Sequence, residues 1–171
     1  MFNRTEEDWK RLRELPALLK ELPLLAESLG FHFYSFRYTG PNHEVRSGNL
    51  LLDGDVIVQA ALDFRDAYLQ RSDIPLIWEP KVFAKAPVFW SEAQELGLRH
   101  GWVQPLHGGA TRSYLALFRP HVSLSIKECY QKAAGLMWLT ERLHLAALGD
   151  STVSADHAPC VPSRCSRSSG G

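Results

Sequence analysis

The chain is poor in the residues and patterns that mark several functional classes. It has three cysteines, two of them, Cys160 and Cys165, in a polar C-terminal stretch, which gives no disulfide framework. Seven histidines are present, but neither His-Glu-x-x-His nor Cys-x-x-Cys occurs, so the spacing of a structural or catalytic metal site is missing. No Gly-x-Ser-x-Gly elbow accompanies His107-Gly108-Gly109, and that triplet reads as a hairpin turn rather than an oxyanion-hole loop. No apolar run approaches the ~18–20 residues of a membrane span. The first thirteen residues are charge-rich without an apolar h-region, which argues against secretion and leaves the cytoplasm as the expected compartment. A formal net charge of zero carries no electrostatic footprint for nucleic acid.

What remains is ordinary globular material. Of 171 residues, 45% are hydrophobic and 22% charged, enough for one domain with a single sizeable core. Residues 1–150 are expected to form it. Residues 151–171, rich in serine and without an apolar period, are expected to be a disordered tail.

Thr5-Glu6-Glu7-Asp8 reads as a helix start, with Trp9, Leu12 and Leu15 on one face. Pro16 and Pro23 predict two or three short pieces rather than one helix up to Gly30. The aromatic run 31–38 predicts a strand, and 44–52 a second one ending at an Asp53-Gly54 turn. Residues 55–72 fit a helix roughly. A short apolar run, 75–78, precedes Pro87, which opens a helix closed by Gly97. Strands are predicted over 101–106 and 113–119, joined by a tight connection. Ser125-Ile126-Lys127-Glu128 matches a capping box, starting the longest helix, with Tyr130, Ala134, Met137, Trp138, Glu141 and Leu145 on the face expected to be core or, less often, a dimer surface. This order predicts an αβα sandwich of the α+β kind, with a mainly antiparallel five-stranded sheet like that of PAS and GAF sensors.

Ile74-Pro75-Leu76-Ile77-Trp78-Glu79-Pro80, Val88-Phe89-Trp90-Ser91-Glu92-Ala93, Glu95-Leu96-Gly97-Leu98-Arg99-His100-Gly101, Val103-Gln104-Pro105-Leu106-His107-Gly108 and Tyr114-Leu115-Ala116-Leu117-Phe118 form a series. It resembles the autoinducer-binding domain of LuxR-type quorum-sensing receptors, most closely the LasR-like subgroup. The entry Leu29-Gly30-Phe31-x-Phe33-Tyr34-Ser35 is similar as well.

The resemblance implies a non-enzymatic sensory domain that binds an N-acyl-homoserine lactone, with no cofactor or metal. It implies pairing with a second copy or with a full-length LuxR-type regulator, and no direct nucleic-acid contact. It places Trp78 against the lactone ring, Phe83 in the same aromatic wall, and Phe89, Trp90 and Ala93 along the head-group pocket. Counting back from Trp78 puts the family aspartate at Asp63, with Asp73 as second choice. A carboxylate suits a ligand amide, since a hydrogen bond to a charged group is worth about 1.5–3 kcal/mol. Together these residues imply an enclosed, aromatic-walled hollow beside Trp78, with one acid turned inward.

The resemblance weakens between residues 42 and 72. The family's Tyr-Pro-x-x-Trp-x-x-x-Tyr is replaced by Asn49-Leu50-Leu51-Leu52-Asp53-Gly54, Asp63 is followed by Phe64 instead of proline, and Leu117 stands where relatives often carry a hydroxyl. The helix-turn-helix domain of full receptors has no counterpart in residues 151–171, which suggests a truncated or frame-shifted relative. The same residues also fit plainer roles: Trp78, Phe89 and Trp90 as core aromatics, and Asp63 as an exposed helix carboxylate. A sensor that has lost its ligand and kept only a pairing surface is the competing function. An esterase or lactonase lacks any nameable nucleophile–base pair.

Overall fold

The computed structural model describes residues 14–150. The expected helix start at Thr5, the face formed by Trp9 and Leu12, and the expected disordered tail lie outside the described residues.

Helix α1, Leu15–Ser28, buries Leu15, Leu18, Leu22, Leu25 and Ala26 on one stripe. The break expected at the prolines does not occur. Pro16 occupies the first turn, where a missing N–H costs nothing, and Pro23 lies on the exposed side of a continuous helix. An interior proline costs roughly 3 kcal/mol. Four buried leucines at roughly 1.5–3 kcal/mol each outweigh it. The helix ends at Gly30 as expected, with the N–H groups of Gly30 and Phe31 returning to the carbonyls of Glu27 and Ala26 at 2.9 and 3.0 Å.

Strands β1 (Phe33–Thr39) and β2 (Glu44–Gly48) follow. Asp53 and Gly54 form no turn. They belong to the first turn of α2, Leu52–Asp63, where Asp53 and Asp55 complement the helix dipole. The helix expected over 55–72 is split, because α2 stops at Asp63 and only a single turn, α3 (Ala67–Gln70), comes after it. Then come β3 (Leu76–Ile77), a 3-10 turn (Pro80–Phe83) and α4 (Pro87–Glu95), which Pro87 opens as predicted. Strands β4 (His100–Gly108) and β5 (Thr111–Arg119) make the predicted hairpin. Helix α5, Ile126–Gly149, is capped by the Ser125 hydroxyl, which accepts from the Glu128 N–H at 3.0 Å.

The five strands lie in the order β2-β1-β5-β4-β3, every neighbouring pair antiparallel. Helices α1 and α5 pack on one face through Leu18, Leu22, Phe36, Leu117, Leu136 and Leu143. Helices α2 and α4 and the 3-10 turn cover the other through Ile57, Val58, Phe83, Ala93, Val103 and Phe118. The predicted αβα sandwich is therefore the observed fold. The face predicted for the last helix is not. Leu136, Leu139, Thr140, Leu143, His144 and Ala147 point inward, whereas Tyr130, Met137 and Leu145 are exposed. Trp138 alone of the expected face packs partly against the core.

Candidate functional site

Sheet register decides which residues share the layer under α2 and α4. Ser35 pairs with Ala116, Arg37 with Tyr114 and Thr39 with Arg112 across β1 and β5. Gly101 pairs with Phe118, Val103 with Ala116, Pro105 with Tyr114 and His107 with Arg112 across β5 and β4. Directly opposed residues lie on one face of a sheet. This face is therefore polar toward Thr39 and Arg112, and aromatic toward Phe118.

At the aromatic end, Trp78 sits at the centre. Its indole meets Phe118 at 4.8 Å, Phe83 at 5.5 Å and Trp90 at 6.3 Å between ring centroids, and Phe83 in turn meets Phe89 at 5.7 Å. Phe118 reaches this position because Gly101 lies beneath it, where a Cβ would stand 2.2 Å from the ring. Trp78, Phe83 and Ala93 are buried, and Phe89 and Trp90 half-buried. The Trp78 indole N–H donates to the Leu98 carbonyl at 2.8 Å, an acceptor presented by the chain reversal at Gly97, whose φ of 86° favours glycine. The expected hollow beside Trp78 is thus occupied by the protein's own rings.

Leu117 does not belong to this layer. It pairs with Trp102 and Tyr34 and packs in the α1–α5 core, so the strand's alternation carries it to the opposite face. Ala116 and Phe118 are the β5 side chains that face the aromatic cluster.

The two predicted acids separate. Asp63, the last residue of α2, is exposed and accepts from the Gln59 amide at 3.0 Å. It lines a small cleft shared with Arg37, Arg65, Gln70, Arg112 and Tyr114. Asp73 is also exposed, and it accepts from the His107 N–H at 2.8 Å and contacts His107 Nδ1 at 3.2 Å. It clips the loop before β3 onto the hairpin, a structural duty.

The acid that turns inward is one that sequence reasoning missed. Asp55 accepts from the hydroxyls of Ser35 at 2.5 Å and Tyr114 at 3.0 Å, and from Arg46 at 3.1 Å. Burial, then the adjacent Asp55 charge and hydrogen bond, push the Tyr114 hydroxyl well above its ordinary range, with Arg37 opposing. The signal was present as an acid one helical turn after Leu51, but it read only as the first residue of the helix expected over 55–72.

The Asp63 cleft encloses about 50 Å³, a third of the ~150 Å³ cavity that accepts benzene. Beyond Arg65 lies a groove of about 340 Å³, floored by Ala61, Phe64, Leu69, Leu76 and Val82. That volume is within the ~300–1,000 Å³ of small-molecule sites. Arg65 lines both. The polar cleft at Asp63 and the apolar groove therefore adjoin at Arg65.

Comparison with known proteins decides the family. The family model described as "Autoinducer binding domain" matches residues 52–147, more than half of the chain. The chain belongs to the autoinducer-binding domain family. This autoinducer-binding domain shares its fold with CepR2, an N-acylhomoserine lactone dependent LuxR family transcription factor of Burkholderia cenocepacia. The TM-score is 0.61 at 20% identity, over 81% of this chain and 88% of that one. The solution structure of Escherichia coli SdiA residues 1–171 matches with a TM-score of 0.64 at 19% identity, over 81% and 87% of the two chains. SdiA in complex with octanoyl-rac-glycerol matches at 0.58 and 20% identity, over 88% and 70%. No curated protein sequence matches the chain. The match to the family model runs from the start of α2 to within two residues of the end of α5, so it includes Asp55, Asp63, the aromatic cluster and every cleft residue except Arg37 and Thr39 of β1.

Proposed function

We propose that this domain is the sensory part of a LuxR-type regulator and binds an N-acyl-homoserine lactone between the sheet and the α2–α4 layer. Asp63 accepts the ligand amide N–H. The guanidinium groups of Arg37 and Arg65 and the Gln70 amide meet the carbonyl oxygens. The acyl tail lies along the groove past Arg65. Trp78, Phe83, Phe89, Trp90 and Ala93 form the packed apolar wall beside the groove, and α3 is the side that yields as the ligand enters. The observation that carries this reading is the junction of a carboxylate-and-guanidinium cleft with an apolar groove, both lined by residues of the matched segment apart from Arg37 and Thr39.

The reading makes physical sense of both ends of the ligand. Each buried methylene contributes roughly 0.8 kcal/mol, and the amide needs a partner because an unpaired polar group is costly to bury. Pairing with a second copy, or with a full-length regulator, uses the exposed stripe of α5 formed by Ile126, Tyr130, Met137, Leu145 and Leu148.

Calorimetry with lactones of short, medium and long acyl chains tests the site. Asp63→Asn is expected to weaken binding about 10–150-fold, the equivalent of one charge-assisted hydrogen bond. Absence of binding by every chain length, alongside intact pairing with a full-length regulator, would instead favour an interaction protein with a self-filled core.

A further inference from the structure

The cleft at Asp63 is unbalanced in charge. Arg37, Arg65 and Arg112 line it against the one carboxylate of Asp63. Glu44 lies 3.4 Å from Arg37 at an exposed edge. Among the described residues, neither Arg65 nor Arg112 has a carboxylate within ion-pair distance. Arg37 also carries a buried Nε with no hydrogen-bond partner, the one such side-chain atom among the described residues. A buried donor left unpaired is costly and asks for an explanation. The other acids near the cleft are already engaged, Asp55 by Ser35, Tyr114 and Arg46, and Asp73 by His107.

A closed lactone is neutral and supplies only weakly accepting carbonyl oxygens. A carboxylate supplies two charged acceptors in the plane that a guanidinium fork matches, giving shorter and stronger bonds. Asp63, at the rim and occupied only by Gln59, accepts an amide N–H but repels a second carboxylate brought against it. The group that satisfies both ends therefore carries an amide N–H on the Asp63 side and a carboxylate on the arginine side. That is an N-acylated amino acid.

We propose that this cleft selects a long-chain N-acyl amino acid with a free carboxylate over the closed lactone, through Arg37 and Arg112. This rests on the reading of the cleft as the head-group site, and it ranks the ring-opened, ionised form above the closed lactone as the ligand held there.

The test compares three probes on the full chain by calorimetry at about pH 6.5, where the lactone stays closed and carboxylates are ionised. They are N-dodecanoyl-homoserine lactone, its ring-opened acid N-dodecanoyl-homoserine, and dodecanoate. The ring-opened acid is expected to bind at least tenfold tighter than the lactone, and its advantage to shrink with added salt. Dodecanoate, which lacks the amide, is expected to bind more weakly than the ring-opened acid. Arg112→Gln, at an exposed position that tolerates substitution, is expected to bring acid and lactone within about threefold of each other. Arg37→Gln, checked for a native melting profile, is expected to do the same.

Equal or tighter binding of the lactone overturns this proposal while leaving the lactone-sensor reading intact. Binding of the acid alone supports the proposal and refutes the lactone. Dodecanoate binding as tightly as the ring-opened acid overturns the amino-acid assignment. An acid preference that survives both arginine substitutions overturns the cleft as its origin, and failure of all three probes overturns both readings.

Discussion

Glu128 is the residue whose loss the structure predicts most sharply. Its carboxylate receives Arg119 Nη2 at 2.6 Å, Arg119 Nη1 at 2.8 Å and Lys132 Nζ at 2.6 Å. Arg119 also donates to the Val122 and Ser123 carbonyls and stands over the Phe31 ring, and Lys132 donates to the Leu29 carbonyl. One carboxylate thereby ties the end of α1, the end of β5 and the first turn of α5. The Arg119 hydrogen bonds, followed by Lys132, outweigh burial and hold the Glu128 carboxyl well below its usual range, at about 2. Against an unfolded value near 4.3, and at 1.36 kcal/mol per pKa unit, the ceiling is about 3 kcal/mol. The side chain keeps 20% of its exposure, so solvent screening lowers the expectation to about 2 kcal/mol.

Because the folded-state pKa is depressed, this contribution is complete above about pH 4.5 and disappears as the pH falls toward 2. Urea unfolding of the wild type and Glu128→Gln at pH 7 should differ by about 2 kcal/mol at unchanged m-value. At pH 2–2.5 the gap should narrow to under about 1 kcal/mol. A difference below about 0.5 kcal/mol at pH 7, or one that does not move with pH, refutes the argument.

Two further outcomes follow from buried polar groups. Asp55→Ala leaves Ser35, Tyr114 and Arg46 without their shared acceptor and should cost about 3 kcal/mol, read by the same urea titration, whereas Asp73→Ala at its exposed site should cost about 1 kcal/mol or less. Burial of His144, between Ser113 at 2.6 Å and Thr111 at 3.2 Å, lowers its pKa from the ordinary value, with Asp73 opposing and His107 assisting. The neutral ring is therefore the stable form, so stability should be full above about pH 6.5 and decline as the pH drops below it. A melting temperature that rises on acidification from pH 7 to 5.5 would contradict this.

The parts of the fold legible in the sequence were those with local chemistry. Ser125, Pro87, Gly30 and the turn after His107 each mark an element end through a cap, a fixed φ or a positive φ, and the structure ends or starts elements there. The parts that were not legible depend on which side of an element faces in. Helix α5 has two apolar stripes, and the inner one contains Thr140 and His144, so polarity alone pointed to the outer one. Leu117 and Phe118 differ by one position and lie in different cores, a parity that no count along the chain supplies without a known pairing partner. Asp55 was hidden because its partners, Ser35 and Tyr114, are 20 and 59 residues away.

Helix α2 carries both acids of this layer, eight residues apart, or about 12 Å along the axis. They are not equivalent partners for a ligand. Recruiting Asp55 would break three hydrogen bonds, two from hydroxyls buried with it, whereas recruiting Asp63 displaces only Gln59. The ligand's route should follow the same logic. No residue from 62 to 75 is buried, and α3 has no buried residue at all. The segment is fastened at its ends, by Phe64 against Phe83 and Phe89 and by Asp73 to His107 and Gln104, whereas α3 between them is held by Gln70 to the Asp63 and Arg65 carbonyls. The aromatic cluster beside it is held by ring contacts on every side. Widening the cleft therefore costs least by lifting α3, since regions with few buried apolar contacts open first. Amide hydrogen exchange should show residues 67–72 exchanging orders of magnitude faster than the buried turns of α5, and slowing when a ligand fills the cleft. Slow exchange at α3 without ligand, or ligand protection confined to α4, would mean that entry runs through the aromatic side instead.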